Sequence, residues 1–137
     1  MHTGRLVFAQ LLDWIPKPEW RRCVRRYRGE FHCRRLTCYD QFIALAFAQL
    51  TFRESLRHIE MCLRALDTKL YHAGLRARVA RSTLADANEK RDWRLWADLA
   101  HVLIARARAR YAREPFGVEI EQTAYAFDST TIDLCLK

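Results

Sequence analysis

Apolar residues recur at helical spacing along most of this chain, and the pattern breaks off at Pro115-Phe116-Gly117. Leu6 to Trp14 is a short apolar-rich segment, ended by the breaker Pro16-Lys17-Pro18. From Pro18 onward Trp20, Cys23, Val24 and Tyr27 stand at i, i+3, i+4 and i+7, with Arg21, Arg22, Arg25 and Arg28 on the remaining faces. That spacing predicts an amphipathic helix with a basic exterior, closed by Gly29 as a C-terminal cap. Thr37-x-x-Asp40 and Thr51-x-x-Glu54 both fit the capping box, in which a hydroxyl and a carboxylate satisfy each other's backbone amides. The first opens a helix through Phe42, Ile43, Leu45, Phe47 and Leu50, apolar nearly all round and therefore central. The second opens one with Leu56, Ile59, Leu63 and Leu66 on a single stripe.

Thr68 to Arg81 contains Gly74 and is read as a loop with a short helix around Lys69–His72. Ser82 or Thr83 then caps a further helix, with Asp86 three residues after Thr83. A last helix of about five turns, at 3.6 residues per turn, carries the stripe Trp93, Trp96, Ala100, Leu103, Ala107 and Tyr111. Beyond Pro115 the pattern turns to period two. Thr123–Phe127 and Thr131–Leu136 are strand-like and flank the turn formers Asp128-Ser129-Thr130. A lone hairpin is marginal in water, so this one reads as the opening of a larger sheet. The fold expected is mainly α: a helical N-terminal domain over 1–114, then a C-terminal β-hairpin over 115–137.

Charge divides the chain at the same place. Residues 1–36 hold nine Lys/Arg against three Asp/Glu, and residues 37–114 fourteen against nine. Residues 115–137 reverse the sign, with one against four. The net charge of +8 points to a polyanionic partner, such as double-stranded DNA. The longest apolar run, Phe42 to Ala48, is far shorter than the roughly 20 residues of a membrane helix, and no signal pattern precedes it. A soluble, cytoplasmic protein without membrane contact is expected. Cys23, Cys33, Cys38, Cys62 and Cys135 have no disulfide-framework spacing and read as small core residues or free thiols. Cys23, His32, Cys33 and Cys38 are a conceivable zinc set, but adjacent His32 and Cys33 make awkward joint ligands.

Two groups carry candidate chemistry. Asp128 closes an apolar strand and is followed by small hydroxyl residues, a placement that suits either a metal-binding carboxylate or an ordinary turn. Arg81-Ser82-Thr83-Leu84-Ala85-Asp86-Ala87-Asn88 begins a helix after a glycine-containing turn, as a DNA-reading helix does or a plain capped surface helix. In the first case its N-terminus and hydroxyls meet phosphates, while Asn88 or Lys90 reaches base edges. Arg76, Arg78, Arg81, Ser82 and Thr83 are then the leading contacts, with the arginines of 21–28, Arg21, Arg22 and Arg25 among them, as an auxiliary phosphate surface. The gap from Leu66 to Ser82 is far longer than the turn of a true helix-turn-helix, so any match is to a variant.

Ordered segments across the chain resemble bacterial insertion-sequence transposases of family four. They are Leu6–Leu11, Tyr39-Asp40-Gln41-Phe42, Phe47–Arg57, Leu70-Tyr71-His72, Arg81–Glu89, Arg91-Asp92-Trp93-Arg94 and Asp128–Leu136. The resemblance implies a helical N-terminal domain joined to an RNase H-like catalytic domain that moves DNA with Mg²⁺. It makes Asp128 the first carboxylate of an Asp-Asp-Glu triad and a metal ligand, and the hairpin the first two strands of the catalytic sheet. The second Asp and the Glu lie far downstream in such proteins, and Asp133 cannot replace them. One carboxylate holds Mg²⁺ weakly, so no tight cofactor and no strand transfer by this chain alone are expected. Two readings follow. The helical body is a nucleoid-associated module that binds double-stranded DNA at the element ends, or it is a protein–protein assembly module, with a homo-oligomer among the outcomes.

Overall fold

The computed structural model describes residues 6–31, 33, 35–75 and 78–112. Seven helices follow one another among these: α1 (Val7–Leu12), α2 (Lys17–Arg26), α3 (Cys38–Leu50), α4 (Leu56–Ala65), α5 (Asp67–Leu70), α6 (Arg81–Lys90) and α7 (Arg94–Tyr111). A 3-10 turn, Tyr71–Ala73, extends α5. The mainly helical expectation holds for the described residues. The hairpin expected over 123–136, the RNase H-like start and the boundary near residue 114 lie outside them.

α3 is the wall between two cores, as its nearly all-round apolar sequence requires. Thr37 caps it: the Thr37 hydroxyl accepts from the Asp40 amide at 3.0 Å, and the Asp40 carboxylate accepts from the Thr37 amide at 3.0 Å. One face of α3 gives Ile43, Ala44, Phe47 and Ala48 to a core shared with α1, α4, α6 and the α5 turn, where Ala9, Ile59, Leu63, Leu70 and Leu84 are buried. The other side packs Cys38, Tyr39 and Phe42 against α2 and α7, where Trp20, Cys23, Leu95 and Leu99 are buried. Trp20 is the hub of that second core. Its ring centroid lies 5.6 Å from Tyr39, 5.3 Å from Phe42 and 6.0 Å from Trp96, in tilted or edge-on geometries that aromatic quadrupoles favour.

Several local expectations are corrected. Thr51 does not cap α4; it ends α3, and its hydroxyl donates back to the Phe47 carbonyl at 2.6 Å. Ser55 caps α4 instead, accepting from the His58 amide. α6 begins at Arg81 with Ala80 in the cap position, so neither Ser82 nor Thr83 caps it. On α7 the buried residues are Leu95 and Leu99, while Trp93 is 70 % and Tyr111 58 % exposed; the expected stripe is turned by a fraction of a turn.

Gly29 does not supply the left-handed residue after α2. Arg28 does, at φ 49°, and Phe52 holds the same position after α3 at φ 54°. Both helices end in the same motif: Gly29 N–H donates to the Val24 carbonyl, and Arg53 N–H to the Ala48 carbonyl, each at 2.8 Å. Arg or Phe in this conformation costs roughly 1–2 kcal/mol, which glycine and, in part, asparagine escape. Gly29 is needed for another reason. A β-carbon there would stand 2.7 Å from both the Cys38 sulfur and the Leu95 Cδ1.

Arg91 closes the bundle. It leaves the end of α6 and reaches the loop before α3, donating to the carbonyl of Leu36, to that of Thr37 at 3.3 Å and to Gln41 Oε1 at 2.5 Å. Gln41, 1 % exposed, passes the network on through its Nε2 to Asn88 Oδ1 at 2.6 Å. Replacing Arg91 by Ala leaves Gln41 and the Leu36 carbonyl without their donor, and costs about 2–3 kcal/mol of stability. Arg91→Lys recovers less than half, because one ammonium cannot span acceptors laid out for a planar fork. Urea unfolding of the two variants checks this; equal stability of wild type and Arg91→Ala would show that the network is idle.

Candidate nucleic-acid interface

Basic side chains are unevenly spread over the helices. α2 carries Lys17, Arg21, Arg22, Arg25 and Arg26 against Glu19 alone, whereas in α6 Arg81 and Lys90 are cancelled by Asp86 and Glu89. The helix expected to read DNA is therefore neutral, and the auxiliary helix is the cationic one.

Helical spacing puts Arg21 and Arg25 on one side of α2, and Arg28 follows in the left-handed turn after it. Together with Trp20, Val24, Glu30 and Phe31 they line a surface groove of about 500 Å³. Phe31 is 66 % exposed. Arg26, on another side, is bound to Asp98 of α7 at 2.7 Å, and the Tyr27 hydroxyl donates to the same carboxylate at 3.0 Å. Asp98 thus fixes the roll of α2 while leaving the Arg21–Arg25–Arg28 stripe facing outward. Among the described residues no carboxylate comes within ion-pair distance of Arg21, Arg22, Arg25 or Arg28.

Arg28 also lines a second groove, of about 750 Å³, between the turn after α2 and the face of α6. Arg35, Thr83, Asp86, Lys90, Arg91 and Asp92 are on its walls. Both acids there are engaged. Asp86 meets Lys90 at 3.5 Å. Arg94 grips both oxygens of Asp92 at 2.7–3.1 Å and holds that carboxyl below the usual carboxylate range. An anion entering this groove meets Arg28 and Arg35 with the opposing acids already engaged.

The structure thus brings Thr83 and Lys90 into one groove with Arg28 of the turn after α2 and with Arg35, a grouping that sequence spacing alone did not make. Arg78, Arg81 and Ser82 are exposed near the start of α6. Asn88 Oδ1 is taken by Gln41. Arg76, Asp128 and the Mg²⁺ expected on Asp128 lie outside the described residues. Sequence reasoning placed Arg28 within the auxiliary phosphate surface of 21–28 but missed Arg35, which nothing in the loop marked.

Among the described residues no group of three or more His, Cys, Asp or Glu is placed to hold a metal ion, and these do not include the whole Cys23, His32, Cys33 and Cys38 set. His32 is outside them. Cys33 and Cys38 instead both direct their thiols at the Gly29 carbonyl, at 3.3 and 3.0 Å. Burial pushes the Cys38 thiol up to about 12 and raises that of Cys23 as well, the nearby Asp98 adding to the second.

A protein-family profile described as a domain of unknown function, DUF4372, matches residues 3–76, more than half of the chain. The chain belongs to that family. The match takes in α1 to α5 and the Arg21–Arg25–Arg28 stripe, and ends before α6. No curated protein and no solved structure matches the chain.

A thiol with a raised pKa favours the fold while it stays protonated. Its contribution is whole below the unfolded value of 9.0 and is lost as pH climbs from there toward about 12. Stability should fall by about 1 kcal/mol from pH 8.5 to 10 in excess of the trend shown by Cys38→Ala. Denaturant unfolding across that range decides; parallel curves for the two proteins would mean that Cys38 ionises as freely folded as unfolded.

Proposed function

We propose that this member of the family is the DNA-binding N-terminal portion of an insertion-sequence transposase. It holds duplex DNA near the element ends through the Arg21–Arg25–Arg28 stripe and the adjoining Arg35–Thr83–Lys90 groove. The observation that carries the reading is the stripe itself: Arg21 and Arg25 on one side of α2 and Arg28 in the turn after it, all exposed, with no carboxylate of the described residues at ion-pair distance. Arginine forks suit phosphate oxygens, and phosphate contacts fix position while base edges supply sequence. The ordered resemblance to transposases of family four supports the same conclusion. The chemistry of strand transfer belongs in this reading to the region that begins around Asp128, which the resemblance makes a Mg²⁺ ligand.

Phosphate contacts release counterions, so each one lost reduces the slope of log K against log salt by about 0.9. Arg21→Ala, Arg25→Ala and Arg28→Ala together should flatten that slope by about two to three and weaken binding to every duplex alike. A triple variant with wild-type affinity and slope, measured by anisotropy over a salt series, would remove the stripe from the interface.

A second reading, assembly, rests on a different surface. Leu11, Trp14, Ile15, Leu103, Ala107 and Tyr111 line a groove of about 1190 Å³ between the α1–α2 turn and the outer half of α7. Trp14 is 62 % exposed even with Arg110 stacked 4.6 Å from its ring centroid. On this reading light scattering gives a dimer that Trp14→Ser converts to a monomer; a monomeric wild type at all concentrations excludes it.

A further inference from the structure

The α3–α4 turn has no part in either surface, yet it holds the most exposed large apolar side chain among the described residues. Phe52 is 90 % exposed, and its backbone sits in the left-handed region at φ 54°. Two features there run against stability: an aromatic ring in water, and a β-carbon where glycine would be at ease. The turn is nevertheless firmly held. The Arg53 amide donates to the Ala48 carbonyl at 2.8 Å, and the Thr51 hydroxyl to that of Phe47 at 2.6 Å. The ring is thus carried on a rigid mount, not on a slack loop.

Its neighbours indicate what it meets. Arg57 and His58 are exposed in the first turn of α4, Arg64 follows on the same helix, and Arg53 Nη1 lies 3.5 Å from His58 Nε2. Arg53 Nε is buried with no hydrogen-bond partner. Glu54 and Glu60 are the acids nearby in sequence. A second copy docking by this same patch about a two-fold axis would bring like arginines together. A purely apolar partner would strip Arg57 and Arg64 of water without returning a charge. A ligand that offers a flat π face and flanking negative charge satisfies both.

We propose that Phe52 is a stacking platform for a nucleobase of the bound DNA, with Arg57 and Arg64 on the neighbouring phosphates. This rests on the DNA-binding reading and deepens it. α3 rises about 20 Å over its thirteen residues, at 1.5 Å each, from the Thr37 end beside the arginine grooves to the Phe52 end. A DNA molecule that spans this distance meets the stripe with its backbone and offers Phe52 a base freed from pairing. Two sources of such a base share this chemistry: an unpaired strand end, and a base step opened within the duplex.

The test uses the full chain and three fluorescent probes of one sequence: a blunt duplex, the same duplex with a single-stranded overhang, and the same duplex with an internal mismatch. Base–aromatic stacking corresponds to about a tenfold gain per base. Wild type should bind the overhang or the mismatch about tenfold more tightly than the blunt duplex, and which of the two it prefers names the source. Phe52→Gly and Phe52→Asn, both at home in the left-handed region, should lose that preference, keep blunt-duplex affinity and melt no lower than wild type. Phe52→Trp should retain it. Equal binding of all three probes by wild type, or a preference that survives in both Phe52→Gly and Phe52→Asn, overturns the platform while leaving the DNA reading intact. Failure of wild type to bind any probe overturns both.

Discussion

Arg91 stands at the corner where α6 hands over to α7, and its guanidinium is engaged by the segment immediately before α3. With the Gln41–Asn88 bond it ties the late helices to the start of α3. Gln41 is made to present its amide oxygen to Arg91 and so must turn its nitrogen toward Asn88. A single charge therefore orders two amides and seats α6 on α3. Because Leu36 and Thr37 are held in the same grip, the cap that starts α3 forms where the late part of the chain arrives, a contact across more than fifty residues. Long-range closure of this kind is entropically slow to find, and it rewards a chain whose individual helices are already well specified.

The two cores depend on α3 in different ways. The first is aliphatic and small-residue packing, with Ala9, Ala44, Ala48, Ala73 and Ala87 letting helices approach closely. The second is built around large rings centred on Trp20 and needs few residues to fill. α2 is attached by those rings and by the Asp98 clamp on Arg26 and Tyr27, so its arginines can be numerous without loosening it. This division lets a strongly cationic helix sit on the body at little cost to the body's packing.

Much of this was legible in the sequence wherever a feature is local. The Thr37–Asp40 box, the amphipathic pattern of α2 and the all-round apolar character of α3 each depend on residues within a turn or two of one another. Misreadings arose where two local solutions compete or where a distant partner chooses. Thr51 and Ser55 are both good caps, and the choice went to Ser55 because Thr51 still completes the last turn of α3. α7 has apolar residues on more than one face; packing against α2 selected Leu95 and Leu99 over the Trp93 side. The site followed the same rule. Arg28 was visible as part of the basic face of 21–28, but its union with Thr83 and Lys90 depends on a loop whose course no periodicity records, and Arg91 reads in sequence as one more surface cation.

The bare α-carbon of Gly29 is the place where three parts of the chain converge: the turn after α2, the first residue of α3 and the first turn of α7. With 2.7 Å between a notional methyl and either neighbour, there is no slack to absorb relative movement. Dense packing of this kind transmits displacement instead of damping it. Arg28 is the very next residue, so the last cation of the stripe is registered against α7 as a gauge block is against its reference plane. Load applied at the arginine stripe is then felt at α7 within the same rigid contact, and α7 leads directly into the remainder of the chain.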